Sequence, residues 1–517
     1  MISMINVVKE LCQGMPFTRK NGTYRGVLVC HGNSTGGGGI IISRFFKLVG
    51  LAGALLLISA CTVGPNYVKP TTVAPGTYKE MKDWKVAEPK DHVMRGKWWE
   101  IYNDPQLNAL EEQVNISNQN IFAAEAKFRQ ARALIQVARA AYFPTITMGP
   151  SFTRSRPSTT ITQGATSSPS PTSLYSLQAD ATWELDLWGR VRRSVEASKA
   201  NAQASAADLE GVRLSTHAQL AQSYFQLRAQ DALKQILDET VITYQKSLEL
   251  TQNRYASGVA SRADVLQAEA QLKSTQAQAI EIGVQRAQLE HAIAVLIGKQ
   301  ASLFSVPFSP LANVIPPAVP VGIPSELLER RPDIASAERL MASANAQIGV
   351  AKAAYYPTVS LNASGGFQSI DLAKWFNWPS LFWSVGPVLA ETLFSGGLRQ
   401  AQIEQARAAY EATVGSYRET VLIGFQEVED YLAALRILEQ EELAQEEAVK
   451  AAVQSVTVVT NQYKAGIVGY LNVIVVQALA LNDQTVAVNI LGSRMTDSVL
   501  LIKALGGGWT AAELSTP

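Results

Sequence analysis

The chain has 517 residues, 47% of them hydrophobic and 17% charged, with a formal net charge of +1 at pH 7. That balance excludes the basic surplus of a nucleic-acid binder and the acidic excess of a solvating tail. Cysteine stands at 12, 30 and 61 and nowhere beyond, so the body of the chain has neither a disulfide framework nor a thiolate metal site.

In chain order the first signal is a leader. Arg44 and Lys47 precede an apolar run from Leu48 to Ile58, too short to span a bilayer, and Leu57-Ile58-Ser59-Ala60-Cys61 follows. The pentapeptide resembles a bacterial lipobox, which implies a mature chain beginning at a lipidated Cys61. Thr62 in place of an aspartate resembles an outer-membrane address. Residues 1–40 precede the basic region and read as a misassigned start, so 1–60 is taken as leader and signal, and 61–103 as a lipidated extended segment.

Residues 104–298 form a first unit. Asp104 to Ala141 lacks an internal proline and reads as one long helix, stopped by Tyr142-Phe143-Pro144. Over 142–188 the period drops to two. Ile146, Met148, Pro150 and Phe152 alternate with small polar residues, and Tyr175, Leu177, Ala179, Ala181 and Trp183 alternate with Ser176, Gln178, Asp180, Thr182 and Glu184. These are strands with one apolar and one polar face, joined by a Ser/Thr/Pro-rich loop over 156–173. A soluble half-buried sheet shows the same alternation. The lipobox, with Tyr175 and Trp183 at the two ends of the apolar face, favours a transmembrane β-barrel. Arg190 to Ser257 is then a helix on the order of 100 Å long, with a coiled-coil seam through Leu237, Val241, Tyr244, Leu248, Thr251 and Tyr255. A turn at Gly258 leads into Arg262 to Ile297.

After a Pro-rich linker over 299–324, residues 325–509 repeat the unit, with a hairpin over 355–395 and a tail over 510–517. Ala138-Arg139-Ala140-Ala141-Tyr142-Phe143-Pro144 returns as Ala351-Lys352-Ala353-Ala354-Tyr355-Tyr356-Pro357, and Asn253 to Val259 returns as Asn461 to Ile467, at offsets of 213 and 208. A period of that length is a tandem duplication of one large unit. Strands run over 358–368 and 381–394, the latter apolar on both faces. Helices run from Leu398 to Ala465 and from Asn472 to Leu505, with a seam through Val449, Ala452, Val456, Val459 and Tyr463 and a turn at Gly466.

Cys61-Thr62-Val63-Gly64-Pro65-Asn66-Tyr67, Trp98-Trp99, Asp104-Pro105, Trp183-Glu184-Leu185-Asp186-Leu187-Trp188-Gly189-Arg190, Arg330-Arg331-Pro332-Asp333 and Lys503 to Trp509 together resemble the TolC-like outer membrane efflux proteins, in the lipoprotein branch typified by OprM and NodT. The resemblance implies an α+β membrane protein: a homotrimer whose twelve-stranded β-barrel, four strands per chain, continues into a coiled-coil helical barrel. It also implies a periplasmic adaptor (membrane fusion) protein and an inner-membrane pump of the resistance-nodulation-division type. Tyr255, Gly258, Val259, Tyr463, Gly466 and Ile467 stand where the family's helix tips would dock the adaptor; a purely structural turn is the plainer reading of both glycines. Glu427, Glu429 and Asp430 stand where the family's pore narrows. Acidic residues on a helix are ordinarily a solvated face, but in a trimer one inward carboxylate becomes a ring of three that attracts cations. At a local offset of 207 the first repeat has Gln222 and Ser223 opposite Glu429 and Asp430, so only the second repeat would supply the ring.

Nothing points to an enzyme. Of His31, His92, His217 and His291, none belongs to a His-Glu-x-x-His motif, and no nucleophile elbow or phosphate loop occurs, so no cofactor or metal is expected. The expected function is an exit duct for drugs or other toxic small molecules. A protein-secretion duct and a non-conducting coiled-coil surface lipoprotein remain as alternatives.

Overall fold

The structure is a computed structural model. It describes residues 62–70, 77–81, 97–156, 158, 170–311, 316–317, 319 and 327–509. Cys61, the leader, the middle of the first hairpin loop and the 510–517 tail lie outside them.

Each repeat runs helix, β-hairpin, long helix, returning helix. The first comprises α1 (Pro105–Ser117), α2 (Gln119–Ala140), β1 (Thr145–Ser155), β2 (Thr172–Glu184), α3 (Arg190–Ala256) and α4 (Arg262–Leu296). The second comprises α5 (Pro332–Ala353), β3 (Thr358–Ser369), β4 (Leu381–Ala390), α6 (Leu398–Lys464) and α7 (Tyr470–Ala504). Corresponding helices match to the residue: α2 and α5 have 22 residues, α3 and α6 have 67, α4 and α7 have 35. The offset along the long helices is therefore 208 throughout, and Glu429 and Asp430 correspond to Ala221 and Gln222, one position from the sequence expectation.

The expected single helix over 104–141 is two. Asn118 is extended (ψ 124°), and its side chain accepts from the N–H groups of Asn120 and Ile121 while donating to the Leu296 carbonyl at 2.7 Å. An Asx side chain that caps the next helix offers the backbone a non-helical conformation that propensity sums overlook. Upstream, Asp104 caps α1 through the N–H groups of Gln106 and Leu107 and accepts from the Tyr224 hydroxyl at 2.5 Å.

The four strands form one antiparallel sheet in the order β1-β2-β3-β4, so β1 and β4 are open edges. Register settles which way β4 faces. Leu177 lies opposite Phe367, Phe367 opposite Leu381, Ala363 opposite Val385 and Leu361 opposite Pro387. One face thus carries Ile146, Met148, Phe152, Leu177, Phe367, Trp383 and Leu389; the other carries Thr147, Gln178, Asp180, Asn362 and Ser384. Ile146 and Met148 are each 72% exposed and Trp383 75%, an apolar wall that water would not tolerate at this extent.

The strand-to-helix turns are tied by charge. Asp186 accepts from the N–H groups of Val191 and Arg192 at 2.9 Å each, capping α3, and Glu184 holds Arg190 through two bonds. The Trp188 indole donates to the Pro357 carbonyl at 2.8 Å, joining the two repeats at the base of the sheet. The main core sits midway along the long helices. Trp98, Trp99 and Tyr102 pack there against Leu107, Leu220, Tyr224 and Leu227 of the first repeat and Val428, Leu432 and Val499 of the second.

Candidate functional site

The residues singled out in the sequence lie on the long helices and at their turns, so the surfaces to describe are the carboxylates of α6 and the helix ends. Among the described residues no cluster of His, Cys, Asp and Glu could hold a metal ion.

The three candidate gate carboxylates lie within four residues of one another but do different things. Glu427 accepts from Arg331 Nη1 at 2.6 Å; that guanidinium is buried, also donates to the Ala504 carbonyl, and grips Asp333 with two bonds of 3.0 and 2.6 Å. Glu427 is therefore part of a clamp joining α6 to the start of α5. Glu429 accepts from the backbone N–H groups of Lys79 and Glu80 at 2.7 and 2.9 Å, and Glu80 in turn pairs with Arg436 at 2.5 Å. It holds the N-terminal segment onto α6. Only Asp430 is exposed with a solvated carboxylate, receiving one bond from Gln426 at 3.2 Å. Asp430 lies 36 residues before the Gly466 turn, about 50 Å along the helix. The carboxylates are thus level with the central core and not at the helix tips.

The tips are built as the sequence suggested, with one exception. Gly258 and Gly466 take φ of 74° and 77°, a left-handed conformation cheap only for glycine. Val259 N–H returns to the Arg254 carbonyl and Ile467 N–H to the Gln462 carbonyl, each at 2.9 Å, closing both helix ends alike. Tyr255, Val259 and Ile467 are 48%, 64% and 72% exposed. Tyr463 is the exception. It is buried, packing against Tyr470 at 5.4 Å and under Arg254 at 4.7 Å, and Arg254 also donates to the Lys464 carbonyl at 3.0 Å. Its side chain welds the two tips together and is not available for docking. Sequence reasoning missed a surface here: Leu471, Val475 and Leu479 continue from Ile467 at four-residue steps, all exposed. The i, i+4 spacing would have found them.

It missed a buried pair as well. His217 Nδ1 lies 2.6 Å from Glu111 Oε2, its Nε2 lies 3.1 Å from Asn115 Oδ1, and Trp99 stacks on its ring at 4.4 Å. Burial pushes the Glu111 carboxyl well above the usual range, and burial, with Arg213 nearby, lowers His217 to about 4. Both shifts favour the neutral forms, and in that state a protonated Glu111 would donate to Nδ1 and Nε2–H would donate to Asn115.

A model of the outer membrane efflux protein family matches residues 110–299 and 323–507, one match per repeat. The chain belongs to this family. It is thus the outer-membrane component of an efflux system, its strands the membrane-spanning share and its long helices the duct below. The chain is 29% identical over 470 residues to the probable efflux pump outer membrane protein TtgC of Pseudomonas putida KT2440, covering 90% of this chain and 96% of that protein. It is 30% identical over 469 residues to the solvent efflux pump outer membrane protein SrpC of Pseudomonas putida, covering 89% and 98%. The structure of the outer-membrane channel OprN superposes with a TM-score of 0.81 at 30% identity, covering 87% of this efflux protein and all of that chain. The sheet of this efflux protein is accordingly read as facing lipid with its apolar side.

Proposed function

We propose that three copies of the chain close one passive duct, through which small toxic amphiphiles such as drugs or solvents leave the cell. The observation that carries this reading is the sheet: four strands, an apolar face running across all of them, a polar face built mainly by the first three, and both edges open. An open edge in lipid leaves each unpaired backbone group at a cost of several kcal/mol. Four strands cannot close on themselves, whereas three copies give twelve, a number that closes around a lumen. The polar face of Gln178, Asp180, Asn362 and Ser384 then lines that lumen. Efflux names among the relatives, SrpC's solvent efflux included, support a small-molecule cargo.

Energy comes from partners. An inner-membrane pump of the resistance-nodulation-division type loads the duct, and a periplasmic adaptor seals onto the exposed tips through Tyr255, Val259, Ile467 and the adjoining Leu471. Apolar side chains at a glycine turn give such a seal both shape and a hydrophobic contact. Cys61, eight residues before Lys69, carries the lipid, and the segment that follows it is bound tightly: Arg193 donates to the Val63 and Gly64 carbonyls and to Asn66, and Asn345 donates to the Pro65 carbonyl.

Light scattering of the purified protein, corrected for detergent, should return three chains, and those particles should conduct in planar bilayers. A stable, non-conducting monomer overturns the reading. Intact mass should show a chain beginning at an acylated Cys61.

A further inference from the structure

The second hairpin carries an apolar surface that the strands do not account for. β3 starts beside the helices at Thr358 and ends at Ser369, so residues 370–380, which return the chain to β4, lie at the end of the sheet remote from the helical duct, on the outer side of the membrane. Ile370, Leu372, Phe376 and Trp378 are 68%, 59%, 61% and 82% exposed. Single exposed apolar residues are ordinary, but four large ones within nine positions form a patch of the kind that marks a contact surface.

The rings fix the direction in which the loop folds. Trp375 lies 5.9 Å from Tyr175 of β2 and stacks on Phe376 at 4.8 Å, while Phe376 meets Phe367 of β3 edge-on at 5.7 Å. Tyr175 in turn lies 5.0 Å from Phe152 of β1, and the Trp375 indole donates to the Phe367 carbonyl at 3.2 Å. Phe152 opposes Tyr175 and Phe367 opposes Leu177, all on the apolar face. The loop is therefore laid back over the side of the sheet that faces lipid, and not over the side of Gln178 and Asp180.

Its backbone suits that place. Irregular chain in contact with lipid is costly because water no longer satisfies its N–H and C=O groups. Here two short 3-10 turns, Leu372–Lys374 and Trp378–Ser380, supply partners locally. The N–H groups of Asp371 and Ala373 go to the side chains of Ser369 and Asp371, and those of Lys374, Trp375, Asn377 and Ser380 go to loop carbonyls. The Ser380 hydroxyl adds a bond of 2.7 Å to the Lys374 carbonyl, and Pro379 has no N–H to satisfy.

We propose that the β3–β4 loop is a membrane-seated element, pinned by the ladder Phe152–Tyr175–Trp375–Phe376–Phe367, and that its partner is the lipid of the outer leaflet. Phe376 and Trp378 lie among acyl chains at the headgroup boundary, where an indole can bury its ring and keep its N–H near water. Lys374, with a side chain 71% exposed, and Arg154, exposed two residues beyond Phe152 on the same face, reach outward from that level to phosphate-bearing headgroups. The seat continues the lipid-facing side of the sheet. It rests on the barrel reading and adds to it a contact made by chain that is not strand. Bending the loop over the mouth of the duct instead would require Trp375 to leave Tyr175.

The test places nitroxide labels in the full-length protein in lipid vesicles and compares relaxation by oxygen, which partitions into lipid, with relaxation by a water-soluble nickel chelate, taking the unsubstituted protein as baseline. Labels at Phe376→Cys and Trp378→Cys should be relaxed more by oxygen, as should a reference label at Trp383→Cys on the apolar strand face. A label at Ser384→Cys on the polar face should be relaxed more by nickel. Adding Trp375→Ser removes the middle rung, and the Trp378→Cys label should then shift toward nickel while the Trp383→Cys label stays as it was. Nickel dominance at both loop positions, with Trp383→Cys still in lipid, overturns the proposal. An unmoved Trp378→Cys label in the Trp375→Ser background overturns the ladder as what pins the loop. Nickel dominance at Trp383→Cys would instead overturn the barrel reading itself.

Discussion

The guanidinium of Arg331 donates to Glu427 at 2.6 Å, across 96 residues of sequence, and the same group grips Asp333 two residues on. One buried cation therefore holds the first turn of α5, the middle of α6 and the end of α7 in a single arrangement. The carboxylates on α6 are sorted by what they hold.

Arg331→Ala removes the partner of two carboxylates and of the Ala504 carbonyl at once. Breaking a buried pair by deleting one member costs about 3–5 kcal/mol, and the partial exposure of Glu427 and Asp333 puts the expected loss at the lower end. Thermal unfolding of the purified assembly should show it, with Glu427→Gln losing much less. Equal melting temperatures for Arg331→Ala and the parent would refute the clamp.

Glu429→Ala should free the N-terminal segment without disturbing the duct. Two backbone N–H groups lose their acceptor, at about 1–2 kcal/mol of local stability. Amide exchange at Lys79 and Glu80 should accelerate while single-channel conductance stays unchanged.

Asp430→Ala should weaken block by multivalent cations and raise leak through the closed duct, with little change in stability, because the carboxylate is solvated. The effect should shrink as salt rises beyond about 0.15 M, where the Debye length is about 8 Å. Identical conductance and block in parent and variant would remove Asp430 from the conduction path.

Acid should destabilise the protein through His217. Its folded pKa of about 4 lies below the ordinary 6.5, so its contribution is fully present above pH 6.5 and is lost as pH falls toward 4. The shift corresponds to on the order of 3 kcal/mol. Glu111 acts in the opposite sense: its raised pKa stabilises the fold at low pH, and that contribution is lost as pH climbs through the raised value. Melting temperature followed from pH 7 to pH 4.5 should fall less steeply in His217→Gln than in the parent; parallel curves would contradict the neutral pair.

At the tips, Ile467→Asp should leave melting unchanged, since the side chain is 72% exposed, yet weaken retention of the adaptor in pull-down. Tyr463→Ala should do the reverse first: it opens the buried junction of the two tips and lowers stability by about 3 kcal/mol.

Period and punctuation alone determined the repeat, the two hairpins, the four long helices and both glycine turns. Those features are local: a 3.6-residue or two-residue pattern, a proline or a glycine is written in consecutive residues. The break at Asn118 was equally local but hidden, because an asparagine that caps and one that sits on a helix surface look the same until Leu296 is beside it. What only the tertiary structure decided concerns partners distant in sequence. Glu427, Glu429 and Asp430 lie within one helical turn and share one charge, and nothing in that stretch says that Arg331 will take the first and the backbone of residues 79–80 the second. Tyr463 and Tyr255 hold equivalent places before their glycines, yet one is buried and the other exposed. The inter-repeat packing at the tips is not symmetric, so the same local pattern meets a different neighbour.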